Sequence, residues 1–473
     1  YNQPDEPDTR LNYAASGPKN SDDVQPLLGD RLHTAQAVRD HHASTATYIA
    51  SQSPDLVAYP KSTDEVSQIL KICHAHDFPV IAFGAGSSLE GQINAPNGGI
   101  SLDMSEMAEV LEVCDEDLLV VVQPGITRKR LNEELRATGL TFPIDPGADA
   151  SIGGMASTRA SGTNAVRYGT MADNILSMEC VLADGEIIRT GTRAKKSSAG
   201  YDLTHLMIGA EGTLGIITEL TLKLRGIPDK VIGGMAQFDT IEDACNAVIL
   251  AIQCGLDVAR IELLDAGQIA ACNDYSTLDL KVCPTLFFEF SDHEAGTDEM
   301  NEMFREIATD CGATEYKYAQ NADERNVLWT ARHNAYWAAL AQHPGKKGLS
   351  TDACVPISRL ADCIEASNND LIESGLAGTI LGHVGDGNFH VILCFDPENA
   401  DDVEKVEGYL GRMSMRAIEM GGTCTGEHGI GQGKQKYLRQ EVGGAVDVMK
   451  AVKIALDPKN ILNPGKIFPM GNT

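Results

Sequence analysis

Phe78-Pro79-Val80-Ile81-Ala82-Phe83-Gly84-Ala85-Gly86-Ser87-Ser88 is an apolar run of strand length that ends abruptly in glycines. A short continuous run rich in Val, Ile and Phe predicts a strand buried on both faces. Directly after it, a backbone without Cβ atoms can approach an anion, and successive N–H groups can form a concave donor nest. The turn continues as Leu89-Glu90-Gly91, so it lacks G-x-G-x-x-G spacing and opens no amphipathic helix. That excludes a Rossmann fingerprint. No Gly-Lys-Ser/Thr follows, which excludes a P-loop. A second glycine-rich run covers Pro146 to Gly169, and a third, Gly209-Ala210-Glu211-Gly212-Thr213-Leu214-Gly215, precedes an apolar strand starting at Ile216. One such turn is most simply structural. Three, interleaved with Ser151, Ser157, Ser161, Thr163 and Asn164, favour an extended polyanionic ligand, and a dinucleotide fits.

Outward from that strand, Asp64 to His74 has helical periodicity, with Val66, Ile69, Leu70 and Cys73 on one face and Ser62 or Thr63 as cap. Further strands are predicted near Ile100–Leu102 and Leu118–Val122. Residues 1–53 read as a polar extended arm to about residue 30, followed by a mixed helical stretch. Gly226-Ile227-Pro228-Asp229 marks a boundary. Beyond it, strands near Gly233–Phe238, Thr285–Phe290 and Thr379–Leu393 alternate with helices near Ile241–Gln253, Asp298–Thr309 and Val327–Gln342. The expectation is an α+β protein whose second part is built on an antiparallel sheet.

The second informative stretch is Gly382-His383-Val384-Gly385-Asp386-Gly387-Asn388-Phe389-His390-Val391. It reads as strand, tight turn, strand. Residues seven apart on one straight strand face opposite ways, so the turn is what could bring both imidazoles together. Downstream lies Gly422-Thr423-Cys424-Thr425-Gly426-Glu427-His428-Gly429. Two histidines and a glutamate form a divalent-metal ligand set with room for substrate. The spacing is not the helical H-E-x-x-H of zinc hydrolases. The plain alternative is a strand end hydrogen-bonded through histidine.

The 473 residues allow about three units at roughly 150 residues each. The charge of −29 argues against nucleic acid as a partner and suits a solvated surface or a basic partner. No apolar run approaches the roughly 18–20 residues of a membrane span. The twelve cysteines include no C-x-x-C, so the common iron–sulfur and zinc-ribbon spacings are absent, and they read as reduced thiols. The sequence opens at Tyr1, so no leader can be read from it.

Residues 54–228 resemble the FAD-binding domain of the vanillyl-alcohol oxidase and p-cresol methylhydroxylase (PCMH) superfamily, in its FAD-binding oxidoreductase/transferase type 4 family. The likeness rests on Phe142-Pro143-Ile144-Asp145-Pro146-Gly147-Ala148-Asp149-Ala150-Ser151 and Ser161-Gly162-Thr163-Asn164-Ala165-Val166-Arg167-Tyr168-Gly169-Thr170. Leu328-Trp329-Thr330-Ala331-Arg332-His333-Asn334-Ala335 and Asn463-Pro464-Gly465-Lys466, with the two histidine motifs, resemble its 2-hydroxy-acid dehydrogenase branch, most closely the cytochrome-type D-lactate dehydrogenases. The resemblance implies a two-domain PCMH-type fold: a FAD domain at 54–228, an α+β substrate (cap) domain at 229–420, and a segment at 421–473 that returns to the FAD domain.

It also implies roles. The FAD pyrophosphate would lie against Gly84, Ala85, Gly86, Ser87 and Ser88. The isoalloxazine and ribityl would lie along Pro146, Gly147, Ala150, Ser151, Gly153, Gly154, Ser161 and Gly162, with the adenine side near Glu211 and Ile217. Members that bind FAD covalently carry a histidine in the first turn; none is present here, which implies non-covalent FAD. His383, His390 and Glu427 take the metal positions, for zinc or manganese, His428 that of the catalytic base, and Arg332 that of the substrate-carboxylate clamp. The implied reaction is oxidation of D-lactate or a similar D-2-hydroxy acid, with cytochrome c or a quinone as electron acceptor. The implied location is mitochondrial in a eukaryote, cytoplasmic or peripheral to the inner membrane in a bacterium; a homodimer is compatible with the sequence but not specified by it. Rival expectations are a glycolate or D-2-hydroxyglutarate dehydrogenase, a metallohydrolase, or a non-catalytic flavin subunit. Gly348-Leu349-Ser350-Thr351-Asp352 offers no lysine for a second carboxylate, which favours a monocarboxylate. Trp329 and Trp337 read as core, and His333 and His343 as helix-face residues.

Overall fold

The computed structural model describes residues 17–45, 47–276, 278–292 and 294–470. Its first part holds two sheets. A four-stranded sheet runs in the order Leu32–His33, Leu56–Ala58, Ile100–Asp103, Val80–Phe83, with the last two adjacent pairs parallel. Helix Thr63–Ala75 provides the crossover. Ser62 caps it by accepting from the Glu65 amide, and Val66, Ile69, Leu70 and Cys73 are its buried stripe, as the spacing predicts. A five-stranded antiparallel sheet follows: Val110–Cys114, Leu119–Val122, Ile216–Lys223, Ile175–Val181, Ile187–Arg189.

The second part is a larger antiparallel sheet, in the order Glu315–Tyr318, Lys230–Gln237, Thr285–Asp292, Val258–Leu264, Ala377–Gly382, Asn388–Phe395, Lys347–Ser350. The two-residue period of its strands sorts the core. Ile261, Leu263, Phe288, Ile380 and Val391 pack under helices Ile241–Gln253, Glu294–Asp310, Leu360–Ser374 and Ala400–Glu419. Their neighbours Leu264, Phe287, Leu381 and Ile392 pack on the other face, under Ala266–Ser276, Ala322–His333 and Ala335–Ala341. Both faces are thus covered, which explains why these strands read as near-continuous apolar runs.

Three expectations change. The extended arm lies partly outside the described residues, but Gly17–Leu28 is helical, and it buries Val24 and Leu28 against the first sheet's core. The single helix expected over Val327–Gln342 is two helices, parted at Asn334. Trp329 is core, whereas Trp337 is 57% exposed. The break at Asn334 turns it out of the core.

The C-terminal segment returns to the first part. Leu462 bridges Val80, and the Asn463 amide donates to the Val80 carbonyl. A buried ammonium fixes this return: Lys453 Nζ donates to the carbonyls of Thr213 and Leu462, each at 2.8 Å, and to Asp457 Oδ2 at 2.5 Å. Asp457→Ala leaves that ammonium without its counter-charge, and removing one partner of a buried pair costs about 3–5 kcal/mol. A clear fall in the thermal unfolding midpoint is expected; an unchanged midpoint would remove the pair from the contacts that hold this segment.

Candidate active site

A cavity of about 810 Å³ lies between the two parts. Its floor is the first glycine-rich turn. Gly84 to Ser88 all line it, together with Pro146, Gly147, Ala150, Ser151, Gly153, Gly154, Glu211 and Ile217. The amides of Ala85 to Ser88 make no hydrogen bond to protein among the described residues. A Cβ at Gly84 would fall on Ser151 Oγ and displace that hydroxyl from its present position. Two further groups point to a ligand: Ser88 Oγ and Ser151 Oγ are buried without a hydrogen-bond partner. Buried polar groups are nearly always paired, so a row of free amides and unpaired hydroxyls in one cavity suits a ligand rich in acceptors. Ser161 and Gly162 do not line it. Ser161 Oγ instead donates to Glu427 Oε2 at 2.8 Å, and Gly162 packs its Cα against the Asp145 backbone.

At the other end of the same cavity stand His383, His390, Glu427, His428 and Arg332. The strand Ala377–Gly382 pairs antiparallel with Asn388–Phe395, and the turn between them carries His383 back over His390. Their ring centroids are 5.3 Å apart, with the rings nearly perpendicular. His383 Nε2 is 3.6 Å and His390 Nε2 3.3 Å from Glu427 Oε1.

The far edge of each ring is already engaged. His383 Nδ1 donates to Glu262 Oε1 at 2.7 Å, and His390 Nδ1 donates to the Thr351 carbonyl at 2.7 Å. A carboxylate and a carbonyl can only accept, so each Nδ1 carries a proton, and each Nε2 is the ring atom that faces Glu427 and would ligate a cation. This is the outer support that metal-ligating histidines use to fix tautomer and ring orientation. The donor set fits a divalent cation. Burial opposes charge at Glu427, but His383 and His390 outweigh it and hold the carboxyl well below its usual range.

Glu427 and His428 sit on a loop gathered around Asp352. Its Oδ2 accepts from Thr425 Oγ1 at 2.7 Å and from the amides of Glu427 and His428, each at 3.0 Å. Burial alone would raise the Asp352 carboxyl, yet Lys434, His428 and His390 bring it far below the ordinary value. On the other side of the loop Glu211 Oε1 accepts from the Ile430 amide at 2.7 Å. Burial pushes the Glu211 carboxyl up to about 7. Gln92 Nε2 donates to the His428 carbonyl at 2.7 Å. The His428 ring stacks on His390 with centroids 5.3 Å apart and 14° between planes. Its Nδ1 is buried without a partner, and burial pulls the imidazole down to about 4, so at neutral pH it is a neutral proton acceptor.

Arg332 is buried and lines the cavity from the helix Ala322–His333. Its Nε and Nη2 both donate to Glu262 Oε2, at 2.9 and 2.6 Å. It is the one lysine or arginine lining the cavity among the described residues. Sequence reading passed over Glu262, Asp352, Lys434 and Gln92, and took His333 and Trp337 for residues away from the site, although both line it.

Known proteins resemble this chain in sequence and in fold. The family described as "FAD binding domain" matches residues 54–191, and "FAD linked oxidases, C-terminal domain" matches residues 227–467. The chain is 47% identical to the probable mitochondrial D-lactate dehydrogenase of Danio rerio, over 94% of this chain and 91% of that protein. It is 44% identical to the mitochondrial D-lactate dehydrogenase (cytochrome) of Arabidopsis thaliana, over 94% of this chain and 79% of that one. The solved structure of p-cresol methylhydroxylase with substrate bound has a TM-score of 0.77, at 16% identity, covering 96% of this chain and 98% of that one, a likeness of fold. With both family regions matched and relatives aligned over nearly the whole length, the chain belongs to the FAD-linked oxidases.

Proposed function

We propose that this protein oxidises D-lactate, or a similar D-2-hydroxy monocarboxylate, to the 2-oxo acid with FAD. A divalent cation would be held by His383, His390 and Glu427, and electrons would pass on to cytochrome c or a quinone. The observation that carries the reading is one cavity with unpaired anion-binding groups at one end and, at the other, two oriented imidazoles, a carboxylate, a neutral histidine and one arginine. The relatives' names place them in mitochondria, and we extend that location to this chain.

When bound, FAD supplies the hydride acceptor at N5, and the cation supplies Lewis acidity that lowers the pKa of the substrate hydroxyl. The chain's own residues do the rest. Arg332 presents N–H donors to the substrate carboxylate, where a planar guanidinium matches two oxygens and an ammonium would not. His428, neutral and with a nitrogen free of protein partners, takes the hydroxyl proton. Glu427 is kept from rotating by Ser161. Leu381 and Ile392 line the cavity near these groups and exclude water from the substrate's carbon chain. Because Arg332 is the sole arginine or lysine there among the described residues, a second carboxylate would be buried without a counter-charge, which selects against dicarboxylates.

The absence of a histidine from Gly84–Ser88 supports non-covalent attachment. Acid precipitation of the purified protein should release yellow flavin into the supernatant; colour retained in the pellet would contradict it.

His383→Ala, His390→Ala and Glu427→Gln should each lose bound metal and turnover while keeping FAD. Metal analysis beside the flavin spectrum checks this, and full metal content in any of the three would overturn the ligand assignment.

His428→Ala should retain FAD and metal, since it holds neither. On anaerobic addition of D-lactate the wild-type flavin should bleach, and the variant should bleach about 10²–10⁴ times more slowly, the usual contribution of a positioned base. A wild-type protein that does not bleach sinks the substrate reading. A variant that loses metal and recovers on metal addition makes His428 a ligand instead.

A further inference from the structure

Glu262 is a fully buried glutamate in the strand Val258–Leu264. It shares the face of Leu264 and stands opposite Phe287 on the neighbouring strand, a face that also packs Leu381 and Ile392. Both oxygens are used. Oε2 accepts from Nε and Nη2 of Arg332, and Oε1 accepts from Nδ1 of His383. Those partners come from separate elements, the helix Ala322–His333 and the turn after the strand Ala377–Gly382. An ion this deep is tolerated because three donors surround it.

Resting on the function proposed above, we propose that Glu262 is a positioning residue that fixes two parts of the site at once. It sets the plane of the Arg332 guanidinium, and it holds the His383 proton on Nδ1 so that Nε2 faces Glu427. The carboxyl clamp and the cation site then share a single support. Substrate binding and metal binding both depend on one side chain that touches neither ligand.

Chemistry makes the proposal sharp. A glutamine has nearly the same shape but only one acceptor oxygen, and its NH₂ must face a donor on one side. Turned toward His383, the amide N–H forces the imidazole proton onto Nε2, the atom aimed at the cation. Turned toward Arg332, it opposes the guanidinium. Aspartate keeps the charge and both acceptors but is shorter, so it should weaken both contacts without reversing either.

The test uses the full-length, FAD-loaded wild type with Glu262→Gln and Glu262→Asp. Each is loaded with zinc or manganese, dialysed against graded chelator, and measured for retained metal, FAD content, and KM and kcat with D-lactate. Glu262→Gln should keep FAD, bind metal about 10–100-fold more weakly, the usual loss when the outer partner of a metal-ligating histidine is changed, and show a KM raised about tenfold or more. Glu262→Asp should shift both in the same direction by less. Wild-type metal affinity and KM in Glu262→Gln would overturn the proposal even if the variant melts earlier, since that is a structural role only. A shift in one property without the other would overturn the shared support. If Glu262→Gln does not fold, Glu262→Asp decides on the same two readouts. A wild type that holds neither zinc nor manganese would sink the cation reading, and KM in the variants would then decide whether Glu262 positions the clamp.

Discussion

The site depends on how one loop, Thr425 to Gly431, is held between two buried carboxylates. Asp352 grips it from the larger sheet and Glu211 from the FAD-binding part. An irregular loop in a protein interior must have its amides satisfied from outside itself, since no helix or ladder does so. Here ionised or ionisable side chains take that place, and charge-assisted acceptors are roughly twice as strong as neutral ones. The result is that Glu427 and His428, neighbours in sequence, both reach the cavity from a loop with little freedom.

This constraint explains the glycines around Glu427 better than metal chemistry does. A Cβ on Gly426 would fall on Asn388, and one on Gly429, at φ +83°, would lie 2.6 Å from Glu211 Oε1. The glycines let the carboxylates and the Asn388 amide come close to the backbone. They frame Glu427 and His428 because the backbone there is the thing being bound, and those two side chains are what that binding positions.

Whatever was local in sequence was legible. The turn after Val80–Phe83, the hairpin that carries His383 over His390, and the Glu427-His428 pair each show as a short run whose chemistry and geometry are both readable. The resemblance then supplied what spacing could not, namely that these runs meet. Glu262 was not legible. It sits in Val258-Ala259-Arg260-Ile261-Glu262-Leu263-Leu264, where one glutamate in an apolar strand looks like ordinary alternation toward solvent, and its partners lie 70 and 121 residues away. Trp337 was misread for the opposite reason: a helical apolar stripe predicts core, but the break at Asn334 rotates the following turn, and periodicity carries no information across a break.

The unpaired groups in the cavity complete the physical account. Ser88 Oγ, Ser151 Oγ and His428 Nδ1 are buried and unsatisfied, and an unmade buried hydrogen bond costs about 1–3 kcal/mol. Three such groups in one cavity would be an odd burden for a fold that gains nothing by them. They are tolerable because a ligand that binds only the folded state adds its own binding free energy to stability. The protein's two parts meet at this cavity and the loop beside it, and also where Arg167 bonds Ser291 and Asp257 and Arg260 donates to Asn164. A ligand that paired Ser88 and Ser151 would add to the stability of the folded chain, and the loop carrying Glu427 and His428 borders the same cavity. Glu211 joins the two features, because it lines the cavity and holds the loop carrying Glu427 and His428 with the same side chain.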